Sequence, residues 1–338
     1  MIRALALVLE PIIPCHQIQR PISWQEQFGR QAPLDVEVGF GLGEFLIRSA
    51  RENPQRDYVG IEQNWERICK ALESIAKIKG TAGPRGVLPC TTSEVVQGKG
   101  TAGPRALSNI RILKVDARLA FERLFHPESI EKVYCLFPCP WPKKAHVRHR
   151  LFSADFLRLL NSRLKPRGEV KILTDFLAFV QWIEGQIPDT GFQIRRETVK
   201  PRYDTKFERK WRREGQEEFS ELTLMKERHS AVPLKEDVPL KAYEVKDFHP
   251  SRFRLKNQTG DISVIFKDMI FDSAQKRAMI HVVVAEQTLT QHFWIVVFEK
   301  ERGWRICGAD GQNLLPTEGL ARALELVYEA AVNSMVNS

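Results

Sequence analysis

The sequence predicts an α/β fold, a largely parallel sheet with helices on both faces, followed by a small C-terminal α+β domain. Three observations predict it. Short apolar or β-branched runs at Asp35–Val38, Tyr58–Ile61, Ile110–Val115, Val133–Phe137 and Val170–Thr174 alternate with helix-like segments such as Glu44–Arg51 and Glu66–Ala76. Strands that alternate with helices pair in parallel, because each crossover returns the chain in the same direction. A glycine-rich turn, Gly39-Phe40-Gly41-Leu42-Gly43, joins the first of these strands to its helix. Late in the chain the pattern changes to successive strand-like runs with short turns, at Phe253–Leu255, Ile262–Phe266, Ala278–Ala285, Phe293–Phe298 and Trp304–Cys307. A helical segment, Pro316–Val332, closes this region, with apolar residues at Leu320, Ala323, Leu324, Val327 and Ala331.

The 338 residues suit two domains. The reading places an N-terminal extension at 1–20, the α/β domain at 21–227, a charged linker at 228–244 and the α+β domain at 245–338. Within the first domain, Lys-Gly-Thr-Ala-Gly-Pro-Arg occurs at Lys79–Arg85 and again at Lys99–Arg105. Two copies are too few for a solenoid, and this density of Gly and Pro indicates a surface insertion near 79–106.

A composition of 43% hydrophobic and 28% charged residues can bury a sizeable core. The formal net charge of +9 favours an anionic partner. No segment approaches the roughly 18 apolar residues of a membrane span. The run Ala4–Leu9 is shorter than a signal-peptide core of about 7–15 residues and reads as a packed strand. The six cysteines have no framework spacing, and Cys135 and Cys139 lack a second pair or a His cluster to make a zinc site. Free thiols in a reducing cytoplasm, without a metal, are the expected state.

The glycine turn follows Asp35-Val36-Glu37-Val38, and alternating glycines let the backbone turn tightly and let a ligand approach. The next strand ends at Glu62, nineteen residues beyond Gly43, where a carboxylate can accept from ribose hydroxyls. This arrangement resembles class I SAM-dependent methyltransferases, whose first motif is an acidic residue followed by G-x-G-x-G. The resemblance implies a Rossmann-like sheet that binds S-adenosyl-L-methionine. It sets Glu37, Gly39, Gly41 and Gly43 beside the methionine portion and Glu62 on the ribose. Asp116, which follows Ile110–Val115, either touches the adenine amine or caps the helix Ala117–Leu124.

Two further segments concern the substrate. Phe137-Pro138-Cys139-Pro140-Trp141-Pro142 follows the fourth strand, and three prolines around a tryptophan stop both helix and central strand. They make a rigid loop at the carboxyl edge of the sheet, where open α/β folds bind ligands. Lys143, Lys144, His146, Arg148 and Arg150 follow at once. Downstream, Ile194–Arg213 carries nine Lys or Arg against three acids and contains Thr205-Lys206-Phe207-Glu208-Arg209. Aromatic and basic residues on a rigid loop suit a stacked base and its phosphates.

Together these segments are similar to the bacterial tRNA (guanine-N7-)-methyltransferase family, which carries F-P-D-P-W-P-K-K-R-H, a Thr-Asp pair after the fifth strand (here Thr174-Asp175) and T-K-F-E-x-[KR]. The resemblance covers about residues 21–227. It implies tRNA as partner and a variable-loop guanine as substrate. Guanine N7 carries a free lone pair, so no general base is required. Alignment and stabilisation of the developing positive charge carry the rate. Asp175 and Glu208 are candidates for accepting from the guanine N1–H and N2–H₂ edge, with Cys139 as the third residue placed at the chemistry. Trp141, Lys143, Lys144, His146, Arg148, Thr205, Lys206 and Arg209 are candidates for holding the nucleotide and its phosphates. The sequence departs from the family where Cys139 replaces an aspartate, and Ala145 and Val147 replace basic or His positions. A thiol lacks the two acceptor oxygens of a carboxylate, so the alternative reading is a catalytically weakened module that binds tRNA and SAM.

Overall fold

A computed structural model of the chain describes residues 9–79, 107–287, 289–312 and 314–336. Most of the run Ala4–Leu9, and the two Lys-Gly-Thr-Ala-Gly-Pro-Arg copies beyond Lys79, lie outside the described residues. The chain divides into two compact units, Met1–Lys235 and Glu236–Ser338.

The first unit is built on eight strands: β1 (Ile12–Ile13), β2 (Leu34–Val38), β3 (Asp57–Ile61), β4 (Ile110–Leu113), β5 (Ile130–Leu136), β6 (Leu164–Thr174), β7 (Phe192–Val199) and β8 (Phe219–Lys226). Their order is β1-β4-β3-β2-β5-β6-β8-β7. Neighbours from β1 to β6 pair in parallel, whereas β8 pairs antiparallel with both β6 and β7. The antiparallel pair is absent from the sequence reading. β7 is the sheet edge, and Arg195, Arg196 and Glu197 on it read as a charge run; charged side chains suit an edge strand. β2 is buried along its whole length, as expected of a strand covered on both faces. Its Asp35 is compensated by a two-pronged bond from Arg56, at 2.7 and 2.8 Å, and Arg56 also reaches Glu131 at 2.8 Å.

Between the strands lie α1 (Trp24–Phe28), α2 (Glu44–Glu52), α3 (Trp65–Lys79), α4 (Ala117–Arg123), α5 (Ala154–Arg163), α6 (Leu177–Glu184) and α7 (Lys206–Arg213). α3 shows why such segments become helices: Ile68, Ala71, Leu72, Ile75 and Ala76 recur at helical spacing and are all buried. They pack with Leu46, Ile47 and Ala50 of α2 over Tyr58, Ile110 and Ile112. A second cluster stacks Trp24, Phe125, Phe121 and Phe156, with neighbouring ring centroids 5.1–5.8 Å apart. The strand order reverses between β2 and β5, so the loops after these two strands flank the crevice where such sheets bind ligands. The first of those loops is the glycine turn and the second is the Pro-Trp-Pro segment.

The second unit is an antiparallel sheet of β9 (Tyr243–Val245), β10 (Ile262–Asp272), β11 (Arg277–Glu286), β12 (Leu289–Lys300) and β13 (Gly303–Gly308), in the order β10-β11-β12-β13-β9. Alternate residues Ile280, Val282 and Val284 of β11 and Phe293, Ile295 and Val297 of β12 face a core shared with Leu320, Leu324 and Val327 of α8 (Glu318–Val336). Phe253–Leu255 is no strand. Phe253 is apolar because it is buried against Phe248, with rings 5.0 Å apart. Tyr243–Val245, which the charge pattern places in the linker, is instead the edge strand beside β13.

The chain leaving β8 is fastened to the first unit. Asn161 and Arg163, both 0% exposed, hold it. The Asn161 amide donates to Arg228 O (3.0 Å), and its oxygen accepts from Ser230 N (2.8 Å). Arg163 donates to the carbonyls of Phe121 (2.8 Å), Val232 (2.8 Å) and Pro233 (3.3 Å). Burial pushes the Arg163 guanidinium down to about 10, against the opposing Glu122 charge, and its bonds go to carbonyl dipoles. Replacing Arg163 by Met is expected to cost about 1–3 kcal/mol for the buried Phe121 carbonyl left without its donor. Urea unfolding measures the loss, and limited proteolysis should cut residues 228–235 at lower protease concentration. Unchanged stability and cleavage would show that these bonds contribute nothing net.

Candidate active site

Gly39, Gly41 and Gly43 have φ of 70°, 58° and 76°, in the left-handed region that a side chain disfavours. The turn is tied to the end of β3: Gly39 N donates to Ile61 O (2.8 Å) and Gly41 N to Glu62 Oε2 (3.1 Å). Glu62 is 7% exposed, and its Oε1 accepts from Gln63 N and Asn64 N, each at 2.9 Å. A carboxylate has about four acceptor sites. Three are taken, and Arg67 Nη1 lies 3.6 Å from Oε2. Asp116 caps α4, with Oδ1 accepting from Arg118 N (2.8 Å) and Leu119 N (3.4 Å), while Oδ2 accepts from the Gln63 side chain (2.6 Å). Of its two sequence readings, the cap is therefore made.

Glu37, at the end of β2, is buried, and its Oε2 has no hydrogen-bond partner among the described residues. Burial holds its carboxyl well above the usual range, against the opposing Leu46 N–H and Arg48 charge. A buried, uncompensated carboxyl oxygen beside an open glycine turn is costly unless a ligand satisfies it. At Gly39 an added Cβ would meet nothing within 4 Å, so space lies next to the turn.

Across the crevice, the Pro-Trp-Pro loop contains two bulky residues with positive φ, Phe137 (56°) and Trp141 (44°). Phe137 N donates to Leu173 O (2.8 Å). A short 3-10 turn, Lys144–His149, follows, and the Trp141 ring meets His146 edge-on at 5.7 Å and His149 at 5.2 Å. Cys139, Lys143, Lys144 and Arg148 are exposed. Arg150 is the residue that the sequence reading passes over as one more cation. It is buried and donates to Pro140 O (2.9 Å).

Asp175 is half-buried at the end of β6, with no hydrogen bond or ion pair among the described residues. Buried Thr174 accepts from Phe176 N (3.2 Å) and shapes the turn around it.

The Thr205–Arg209 segment has a different internal logic from the one its composition suggests. Thr205 is the N-cap of α7 in a reciprocal capping box with Glu208. Glu208 is 1% exposed. Its Oε1 accepts from Arg202 N (3.0 Å) and Tyr203 N (3.1 Å), and its Oε2 from Thr205 N (2.8 Å) and the Thr205 hydroxyl (3.3 Å). All of its acceptor capacity is spent on its own loop, so Glu208 organises the segment and has none left for a guanine edge. A Thr-x-x-Glu spacing before a helix is the signal that reveals this.

Glu44, the residue after Gly43, joins this segment to the glycine turn. Its Oε2 accepts from Lys206 N (2.6 Å), and its Oε1 from the Arg209 guanidinium. Arg48 adds a bond to Tyr203 O at 2.5 Å. Phe207 in turn lies 5.6 Å from the Phe137 ring, ring centre to ring centre. The glycine turn, the Pro-Trp-Pro loop and the Thr-Lys-Phe-Glu segment thus converge. Among the described residues, the Lys143, Lys144 and Arg148 side chains make no hydrogen bond or ion pair with the glycine turn.

Comparison with known proteins agrees with this geometry. A family model described as a putative methyltransferase matches residues 31–221. Similar relatives include the tRNA (guanine-N(7)-)-methyltransferases of Chlorobium phaeobacteroides (38% identical over 208 residues, 61% of this chain and 89% of the relative) and Thermotoga maritima (32% over 255 residues, 73% and 71%). That of Aquifex aeolicus is 27% identical over 306 residues, 88% of this chain and 93% of its own. A match of that length cannot fit within the first unit and must run into the second. With more than half of the chain matched by the family model and a relative 38% identical covered over 89% of its length, the chain belongs to the tRNA (guanine-N(7)-)-methyltransferase family.

Proposed function

We propose that this protein transfers a methyl group from S-adenosyl-L-methionine to N7 of a guanine in the variable loop of tRNA. The observation that carries the reading is Glu44, which bonds the substrate segment to the end of the glycine turn and so sets methyl donor and acceptor sites side by side. The relatives named above are methyltransferases, which does not support a module that binds tRNA without turnover.

The residues present fit the cofactor. The unpartnered Glu37 oxygen can accept from its ammonium group, the open left-handed turn gives it room, and Glu62 keeps one acceptor site for the ribose. When bound, S-adenosyl-L-methionine supplies an electrophilic methyl group on a cationic sulfonium. The chain's own work is placement. Asp175, with both oxygens free, accepts from guanine N1–H and N2–H₂ and balances the positive charge that develops on the purine. Trp141 offers a flat face to a base, and exposed Lys143, Lys144 and Arg148, with His146, face the phosphates. N7 has no proton to lose, so no residue acts as a base, and alignment accounts for the rate. Cys139 stands on the same loop with a thiol where the family carries a carboxylate. The second anion of the site is therefore missing, and Asp175 bears that role alone. The reading places the protein in the cytoplasm with its tRNA.

Incubation of a tRNA transcript with the protein and S-adenosyl-L-methionine should yield 7-methylguanosine, seen by mass spectrometry after nuclease digestion. Absence of product with both partners bound would sink the reading. Asp175→Asn should lower kcat by about ten- to hundred-fold, the loss of one charge-assisted contact worth about 1.5–3 kcal/mol, with S-adenosylhomocysteine affinity unchanged. Cys139→Asp should raise kcat over a similar range by restoring such a contact; equal rates would show that position 139 does not limit turnover. Binding the cofactor's ammonium group favours ionised Glu37 and releases its proton. Affinity for S-adenosylhomocysteine should therefore rise with pH through a titration above the usual carboxylate range. Calorimetry across pH checks the slope, which Glu37→Gln should flatten.

A further inference from the structure

Arg150 ends the basic run that begins at Lys143, yet it is the cation of that run that is turned inward. It is 7% exposed, whereas Lys143, Lys144 and Arg148 are open to solvent. Its Nε donates to Pro140 O at 2.9 Å and its Nη2 to Trp141 O at 3.4 Å. The guanidinium carbon lies 5.5 Å from the Phe179 ring and 5.1 Å from the Trp182 ring, and those two rings stack nearly parallel on α6. The Arg150 backbone is pinned as well. Its N–H donates to Val147 O (3.0 Å), and its carbonyl accepts from Arg118 (2.8 Å), which rises from α4.

The bonds fall where the loop needs holding. Trp141 has φ 44°, a backbone region disfavoured for a bulky side chain, so its surroundings must impose that conformation. Arg150 holds the carbonyl of Trp141 and that of the residue before it. The helix on which it stacks begins two residues after Asp175. One planar group therefore ties together two neighbouring elements: the loop that carries Cys139 and Trp141, and the helix that follows Asp175. A lysine at this position would keep the charge but lose the flat fork that serves both the carbonyls and the rings.

We propose that Arg150 is a positioning residue for methyl transfer, fixing the Pro140–Trp141 backbone against α6 so that the Trp141 ring and Asp175 keep their mutual placement. The proposal rests on the tRNA methyltransferase reading of the same site. It separates Arg150 from the phosphate-facing cations beside it, because a buried guanidinium that faces carbonyls and ring faces adds little to counterion release.

The test uses the full chain as wild type, R150K, W141A and the double variant. Three quantities are measured: kcat and KM for a tRNA transcript, S-adenosylhomocysteine affinity, and the salt dependence of tRNA binding. R150K should lower kcat about ten- to hundred-fold, as small misplacements do. KM should change less, with cofactor affinity and salt slope as in wild type. In the W141A background R150K should add little, since groups acting through one another are not additive. Wild-type turnover in R150K would overturn the proposal. So would fully multiplicative losses in the double variant. Should R150K melt early, W182L removes the stacking ring while leaving the charge, and should reproduce the kcat loss; wild-type kcat in W182L would equally overturn the proposal. A wild-type protein that makes no 7-methylguanosine overturns the function itself. Active wild type with unaffected variants overturns only the role of Arg150.

Discussion

The site depends on one carboxylate that is not itself placed at the chemistry. Glu44 stands at the first turn of α2, directly after the last glycine of the cofactor turn, and takes both the Lys206 N–H and the Arg209 guanidinium. An acid in the first turn of a helix is favoured by the helix dipole. Here it also holds the start of α7, and so ties the Thr205–Arg209 segment, the proposed substrate segment, to the glycine turn proposed to hold the methyl donor. Methyl transfer demands a linear approach of two bound groups. A rigid joint between their two binding segments is the economical way to supply it.

The same principle governs the other acids of the site. Glu208 gathers four donors from residues 202–205 and so converts a polar loop into a fixed scaffold. Glu62 takes three backbone N–H groups and holds the glycine turn to β3. Each ionised group is compensated locally, which makes its burial tolerable. Glu37 and Asp175 are the exceptions: one has an unpartnered oxygen and the other no partner among the described residues, and the proposed function assigns these two to ligands. Sorting carboxylates by what already occupies them thus divides framework from chemistry. On that criterion Cys139 is a loss on the chemical side, while Phe137, Trp141 and Arg150 keep the shape of its loop.

Within the first unit, the chain that leaves β8 is held along its length up to Lys235. Arg163 and Asn161 hold residues 228–233 by backbone bonds from buried positions, and Lys235 N reaches Glu122 O at 3.0 Å. The stretch Lys226–Glu244 carries eight Asp, Glu, Lys or Arg among its 19 residues and is mostly exposed, which is why it reads as a charged linker. The bonds that hold its first half involve main-chain atoms, which composition does not report.

Local patterns in the chain determined the alternation of strands and helices, the glycine turn and the breaking of structure around Trp141, and offered the capping of α4 by Asp116 as one of two readings. Each depends on residues a few positions apart: hydrophobic period, the absence of a Cβ, a side-chain acceptor before a helix, a ring that lacks an N–H. The family followed from three such patterns in order. Tertiary structure alone decided which polar groups remain available. Glu44 meets Arg209 across 165 residues of sequence, and Arg150 finds its rings on a helix beyond the next strand. Whether a carboxylate can read a base, or a cation can meet a phosphate, depends on which donors and acceptors the fold has already brought to it. That is a property of contacts between distant segments.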